Sequence, residues 1–269
     1  MSVCKIAITG ISGRLGRAIA HEVIHSPHVE LTGGMVSSDS FHLGADIGEM
    51  AGAGFVDIAA TVSLEEACAS ADVVIDATAP QVTTAIAGRL AEAGGPALVT
   101  GVTGLDEAQT RAVEAAADRI ALLTASNFSL GVAVLEGLVA RAAKALPGDR
   151  FDLEISETHH SQKRDAPSGT AISLGRAAAQ ARGVDFDQSA QFQRERTGGV
   201  RPLGEIGFSS QRGGGIIGEH DVRFLGTLED ITLSHRAHDR RIFAQGALVA
   251  AQWIKTRSAG HYTMQDVVA

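Results

Sequence analysis

The chain has 269 residues, 45% of them hydrophobic, with 31 acidic against 23 basic side chains and a formal charge of −8. That balance argues against a nucleic-acid partner held on a basic surface, and the length allows one large domain or two small ones. The two cysteines, Cys4 and Cys68, make neither a disulfide framework nor a zinc set, so both are expected to be structural and no metal is expected.

No run reaches about 18 apolar residues and the first residues lack the apolar core of a secretion signal. A cytoplasmic protein with no membrane partner is expected. Glycine is abundant, at 31 residues, and it is spread without a repeat, which points to tight turns and close backbone approaches. The bases comprise 19 Arg and only four Lys (Lys5, Lys144, Lys163, Lys255), so the places where lysine falls are informative.

In chain order, Val3–Thr9 is a short apolar run bounded by Gly10. A helical stripe follows over Gly13–Ser26 (Leu15, Ile19, Val23), stopped by Pro27. Strands are expected at Val29–Val36, Val73–Ala77, Ala97–Thr100 and Ile120–Thr124, with helices at Leu64–Ser70, Gln81–Ala93 and Asp106–Asp118. Apolar strands alternating with helices imply a parallel sheet covered on both faces, which is a Rossmann-like, doubly wound α/β fold.

The pattern changes near residue 128. A helix over Leu130–Leu146 precedes the alternating Phe151, Leu153 and Ile155, and a second helix runs from Gly169 to Arg182. Strand-like runs at Gly204–Gln211, Ile217–Leu225 and Leu228–Ala237 have short glycine-bounded connections, which suit antiparallel neighbours. A last helix, Arg240–Ile254, is apolar almost all round and is expected to be buried. The division expected is residues 1–127 with 238–269 as a dinucleotide-binding domain, and 128–237 as a smaller α+β domain with a mixed or antiparallel sheet.

Two segments carry chemistry. In the first, Gly10, Ile11, Ser12, Gly13, Arg14, Leu15 and Gly16 join a strand to a helix in the spacing G-x-x-G-x-x-G. Glycines there permit a tight turn and close approach of a pyrophosphate, and the helix start offers N–H groups and partial positive charge. After the second strand, Ser37 and Ser38 stand where an acid on the ribose 2′-OH is usual. Arg14 could assist a 2′-phosphate and Asp39 could be the acid one or two residues late, so NADPH and NADH both stay open, with an inclination to NADPH.

The second segment runs Glu157-Thr158-His159-His160-Ser161-Gln162-Lys163-Arg164-Asp165-Ala166-Pro167-Ser168-Gly169-Thr170-Ala171. It sets two His and one of the four Lys before a helix start whose Gly169 and Thr170 N–H groups can hold a carboxylate. A histidine near its usual pKa moves protons at neutral pH, so a small anionic substrate fits. Ordinary solvated surface is the competing reading of the same pattern. His220, His235 and His238 read as structural, and Asp165 as an orienting or capping group as readily as a reacting one. Tyr-x-x-x-Lys chemistry is excluded, because the only tyrosine, Tyr262, is followed four residues later by Asp266. P-loop chemistry is excluded because G-x-x-x-x-G-K-[ST] is absent.

These residues, with Gly101-Val102-Thr103-Gly104, Ala125-Ser126-Asn127-Phe128-Ser129, Gly218-Glu219-His220 and Phe243-Ala244-Gln245-Gly246-Ala247, resemble the 4-hydroxy-tetrahydrodipicolinate reductase (dihydrodipicolinate reductase) family over almost the whole chain. The resemblance implies NAD(P)H-dependent reduction of a small cyclic dicarboxylate with loss of water, in the diaminopimelate route to lysine. It implies His159 as proton donor or acceptor and Lys163 as a second proton donor, with His160, Gly169 and Thr170 on the substrate. Gly10–Leu15 would bind the pyrophosphate, while Gly101, Val102, Thr103 and Ala125–Phe128 would line the nicotinamide side. A homotetramer built through the second sheet is implied as well. Other readings of the same first domain are a different small-acid dehydrogenase or a non-catalytic NAD(P)H sensor.

Overall fold

Short apolar runs closed by glycine turns and helix caps assemble the first sheet. The computed structural model describes residues 3–194 and 199–269. The chain divides into two units, Met1–Leu130 with Arg241–Ala269, and Gly131–Arg240; the cuts expected from sequence, at 127/128 and 237/238, lie slightly earlier.

The first unit runs β1 (Cys4–Thr9), α1 (Arg14–His25), β2 (Val29–Met35), α2 (Ile47–Ala51), α3 (Leu64–Cys68), β3 (Val73–Asp76), α4 (Pro80–Ala93), β4 (Ala97–Thr100), α5 (Glu107–Glu114) and β5 (Ala121–Thr124). Its strands, with a late one contributed by the chain's end, form a six-stranded sheet in which every pairing is parallel. Alternate residues serve opposite faces. Ala7, Val74, Leu98 and Leu122 pack with Leu64 of α3, Ile86 and Leu90 of α4 and Val113 of α5. β3 is buried at all four positions, as a strand covered on both faces must be. From β1 the chain goes to β2 on one side and then to β3 on the other, so the order reverses between β1 and β3, where doubly wound sheets open a crevice at their carboxyl ends.

The second unit holds α6 (Leu130–Ala145), β6 (Asp152–His159), α7 (Gly169–Arg182), α8 (Phe186–Ser189), β7 (Ala190–Gln191), β8 (Ile206–Arg212), β9 (Gly218–Leu225) and β10 (Asp230–Ala237). Burial alternates along β6, so Leu153, Ile155, Glu157 and His159 share one face. That face packs Leu135 and Val139 of α6, Leu174 and Ala178 of α7, and Ile206, Phe208, Val222 and Phe224 of the neighbouring strands into one core.

The sheet is mixed, in the order β10-β9-β6-β8-β7. The antiparallel pairing expected for the last two strands is present, but the pairing expected between β8 and β9 is not. β6 lies between them, parallel to β8 and antiparallel to β9. The glycine connection after β8 passes over the end of β6 instead of making a hairpin: Gly213 N–H donates to the His159 carbonyl (2.9 Å) and Ser161 N–H to the Gly214 carbonyl (3.3 Å).

The chain then returns to the first unit as α9 (Arg241–Ile254), β11 (Gly260–Tyr262) and α10 (Met264–Val268). α9 packs against α1 and against β3, β4 and β5. Gly246 makes this packing possible, since a Cβ there would collide with the Phe128 carbonyl oxygen. The short elements α2, α8, β7, β11 and α10 were not expected from the sequence, and the helix expected over Asp106–Asp118 finishes as a 3₁₀ turn, Ala115–Asp118.

Replacing Gly246 by valine forces α9 off Phe128. A destabilisation of about 1–3 kcal/mol is expected, measured as a shift of the urea-unfolding midpoint; an unshifted midpoint would show that the helix and Phe128 separate freely.

Candidate active site

The turn after β1 is built from its backbone. Gly10 takes φ +76°, and a Cβ there would stand 2.6 Å from the Ala77 carbonyl oxygen. A Cβ at Gly16 would run into the Gly10 carbonyl, so the helix and turn touch only because both residues lack side chains. The Gly10 and Ile11 N–H groups donate to the Met35 carbonyl (3.0 and 3.2 Å), and Gly13 N–H donates to Gly10 (3.0 Å). Arg17 Nε donates to the Ser12 carbonyl at 2.9 Å. Gly13 caps α1 without any side-chain bond, so the first N–H groups of the helix, at Arg14 and Leu15, are left to a ligand or water. A turn with glycine at every third position and an uncapped helix start fits a pyrophosphate.

The other residues expected at the cofactor gather on the same carboxyl edge of this sheet. Ser37 and Ser38 are exposed just beyond β2. The Ser37 hydroxyl and a backbone N–H bond Asp39 and hold its carboxyl below the usual range, so an acid does stand beside the two serines. After β4, the Gly101 N–H donates to the Asp76 carbonyl (3.2 Å) and Val102 N–H to the Thr100 hydroxyl (3.3 Å); Thr103 is exposed. After β5, Ala125 N–H donates to the Thr100 carbonyl (2.9 Å). Ser126 is exposed, Asn127 Oδ1 accepts from Ser129 N–H (2.8 Å), and the buried Phe128 ring occupies the space that a side chain at Gly101 would need.

In the second unit, the end of β6 and the start of α7 bring His159, His160, Lys163, Gly169 and Thr170 together. Ser168 caps α7, its hydroxyl accepting from Ala171 N–H at 3.2 Å. The Gly169 and Thr170 N–H groups lie in the first turn, where a helix has no carbonyl of its own to offer. Lys163 Nζ bonds both oxygens of Asp165 (2.9 and 2.8 Å), and Lys163 N–H donates to the His160 carbonyl (3.1 Å), which closes the loop.

Behind these residues lies a buried carboxylate. Glu157 accepts from two Arg212 nitrogens (2.9 and 2.8 Å), from His159 Nδ1 (2.5 Å) and from Ser168 N–H (3.2 Å). Burial works against its charge, but the bonds from Arg212, Ser210 and His159 overcome it and hold the carboxyl down at about 2. An ionised carboxylate only accepts, so His159 donates through Nδ1 and its Nε2 is the free basic atom. That atom faces Gly218, where a Cβ would lie 3.0 Å away. Burial lowers the His159 pKa, and Glu157 counters by raising it; Lys163 and Arg212 lower it again, leaving the ring below its ordinary value and neutral at pH 7.

His220 stands at right angles to His159, ring centroids 5.1 Å apart, and its Nε2 bonds the Ser168 hydroxyl at 3.0 Å. Burial takes its pKa down to about 4, so it is a neutral support for the cap. Arg212 therefore joins the site although the sequence does not single it out; Glu157 opens the second segment but has no role assigned from the sequence, and His220, read as structural, supports the cap.

The sequence model described as "Dihydrodipicolinate reductase, N-terminus" matches residues 4–128, and the one described as "Dihydrodipicolinate reductase, C-terminus" matches 131–268. The chain belongs to the dihydrodipicolinate reductase family. Among its relatives in that family is the 4-hydroxy-tetrahydrodipicolinate reductase of Caulobacter vibrioides, 46% identical over 264 residues, covering 98% of this chain and 96% of that one. The reductase of Bradyrhizobium diazoefficiens is 42% identical over 268 residues, covering 100% and 98%. Among solved structures, the fold resembles dipicolinate-bound dihydrodipicolinate reductase from Paenisporosarcina sp. TG-14 (TM-score 0.79, 24% identity, 98% and 99% coverage). It also resembles an amine dehydrogenase from Mycobacterium smegmatis (TM-score 0.65, 13% identity, 98% and 96% coverage).

Glu157→Gln removes the charge that raises the His159 pKa. The His159 titration, followed by ¹⁵N NMR, is expected to fall by roughly one unit or more; an unmoved titration would show that Glu157 does not govern the ring. The same carboxyl has a folded value near 2 against an ordinary 4.5. Its stabilisation is therefore full above the unfolded value and is lost as pH falls toward 2. The thermal midpoint of the native protein should decline across that window, and that of Glu157→Gln should decline less.

Proposed function

We propose that the protein reduces 4-hydroxy-tetrahydrodipicolinate to tetrahydrodipicolinate with NAD(P)H and loss of water, in the diaminopimelate route to lysine. The observation that carries this reading is family membership over both units, joined to a buried Glu157–His159 pair beside the start of α7. A nicotinamide cofactor, when bound, supplies the hydride. The chain's own residues do the rest. The first turn of α1 holds the pyrophosphate on its N–H groups, and the Gly101–Thr103 and Ala125–Phe128 loops flank the nicotinamide.

The Gly169 and Thr170 N–H groups and His160 hold a carboxylate of the cyclic dicarboxylate. Lys163 gives the site its positive charge and a donor, and His159 takes or gives a proton at Nε2. Asp165, exposed and paired with Lys163, keeps that ammonium in place until a substrate carboxylate replaces it. The enzyme works as a cytoplasmic homotetramer assembled through the five-stranded sheet. The surface available to such an assembly is the sheet face opposite the core, where Glu154, Ser156, Thr158 and Asp221 alternate with the core residues of β6 and β9.

The serines after β2 incline the site to NADPH, since they do not repel a 2′-phosphate. The ionised Asp39 beside Ser37 weighs toward NADH. Asp39 is therefore proposed as the residue that sets the ratio of the two.

With substrate generated from pyruvate and aspartate semialdehyde by the preceding synthase, NAD(P)H absorbance should fall on adding the purified protein. His159→Ala and Lys163→Ala should each cut turnover by about 100-fold or more, the size of a general acid–base contribution; undiminished turnover in both would remove them from the mechanism. Asp39→Ala should raise the NADPH-to-NADH ratio of kcat/KM by roughly tenfold, an interaction of about 1.4 kcal/mol, and a ratio that stays put would leave the serines in charge of the choice.

A further inference from the structure

Asp76 ends β3 with its side chain wholly buried, and the mechanism above does not use it. Its carboxylate accepts five hydrogen bonds. Oδ1 takes the Thr9 hydroxyl (2.8 Å), the Thr78 N–H (3.2 Å) and the Thr78 hydroxyl (2.6 Å); Oδ2 takes the hydroxyls of Thr83 (2.6 Å) and Thr100 (3.0 Å). Donors on every side are the surroundings of an ionised carboxylate, which can only accept.

Among the described residues no Lys, Arg or His forms an ion pair with Asp76. Hydroxyl dipoles solvate the charge without cancelling it. Its field therefore extends beyond the strand end, through a medium that screens far less than water.

The position of Asp76 decides what that field meets. The Ala77 carbonyl lies against Gly10 of the pyrophosphate turn, and the Asp76 carbonyl receives Gly101 N–H. The Thr100 hydroxyl that bonds Asp76 also receives Val102 N–H. The carboxylate is thus rooted between the turn assigned to the pyrophosphate and the loop assigned to the nicotinamide.

We propose that Asp76 is a buried counter-charge for the nicotinamide ring, favouring its cationic oxidised form over its neutral reduced form. The inference rests on the cofactor reading above. A reduced ring becomes cationic when a hydride, one proton with two electrons, passes to the substrate carbon. A fixed negative charge nearby stabilises that developing charge without having to reorganise.

The test is a binding comparison, independent of turnover. Asp76→Asn keeps the shape and drops the charge, and the Thr hydroxyls can turn to accept from its amide. Native protein and variant are titrated calorimetrically with NAD⁺, NADH and ADP-ribose, which lacks nicotinamide, and with NADP⁺ and NADPH. The variant is expected to lose NAD⁺ affinity relative to NADH by about five- to tenfold, with ADP-ribose affinity held within roughly twofold. Thr83→Val, which leaves the charge in place, should keep the NAD⁺-to-NADH ratio within roughly twofold of native.

Equal weakening of all the nucleotides, or an unchanged ratio, would show that Asp76 only braces the two turns and would overturn the proposal. If circular dichroism shows Asp76→Asn unfolded, Asp76→Thr, also neutral and hydrogen-bonding, carries the same comparison. Native protein that binds none of the nucleotides would instead overturn the cofactor reading itself.

Discussion

The second unit depends on one buried charge, the Glu157 carboxylate. Four residues from three elements meet on it: Arg212 and Ser210 of β8, His159 two residues on along β6, and Ser168 at the cap of α7. An ion of this size costs several kcal/mol to bury, and the cost is recovered only where the partner's geometry is good and the remaining lone pairs are bonded. The two-nitrogen contact from Arg212 meets the first condition and the other donors meet the second. Losing any one of them would leave a buried charge partly unanswered. The strand register, the direction of α7 and the tautomer of His159 are therefore fixed by the same atoms.

The first unit solves the same problem differently. Asp76 is buried as deeply as Glu157 but is met by threonine hydroxyls and one N–H rather than by a guanidinium. Thr9, Thr83 and Thr100 are themselves fully or almost fully buried. Each therefore needs an acceptor, and Asp76 supplies it at the ends of β1, β3 and β4 together. A cationic partner in place of the threonines would cancel the field at the edge where the sheet opens. The two carboxylates differ in the way their surroundings require: one orients a neighbouring base, the other leaves its charge to be felt.

How legible all this was in the sequence depended on chain distance. The Gly10–Gly16 turn and the His159–Thr170 segment are each one continuous strand–turn–helix passage, so spacing alone displayed them. Arg212 lies 55 residues from Glu157, and His220 lies 52 from Ser168. Only the pairing of β6 with β8 on one side and β9 on the other brings them in, and the glycine connection after β8 suggested the wrong neighbour. Asp76 does carry a signal in the sequence. A polar residue closing an otherwise apolar, wholly buried strand must find partners, and Thr78, Thr83 and Thr100 were near enough in sequence to be considered. The short helices and edge strands gave too few turns or alternations for a period to emerge.

The scarce lysine and the buried carboxylate pull the basicity of His159 in opposite directions. Burial and the charges of Lys163 and Arg212 all lower the His159 pKa. The Glu157 carboxylate works in the opposite direction and raises the ring's pKa. Here burial leads, Glu157 opposes it, and the two cations add to it, which leaves the ring below its ordinary value with Glu157 as the one group that restores its basicity. Arg212 has a double part in this balance: it lowers the histidine directly, while the bonds it makes to Glu157 keep that carboxylate ionised. The acidic chain as a whole is no guide to the site, because the balance among Lys163, Arg212, Glu157 and His159 is decided within a few ångströms.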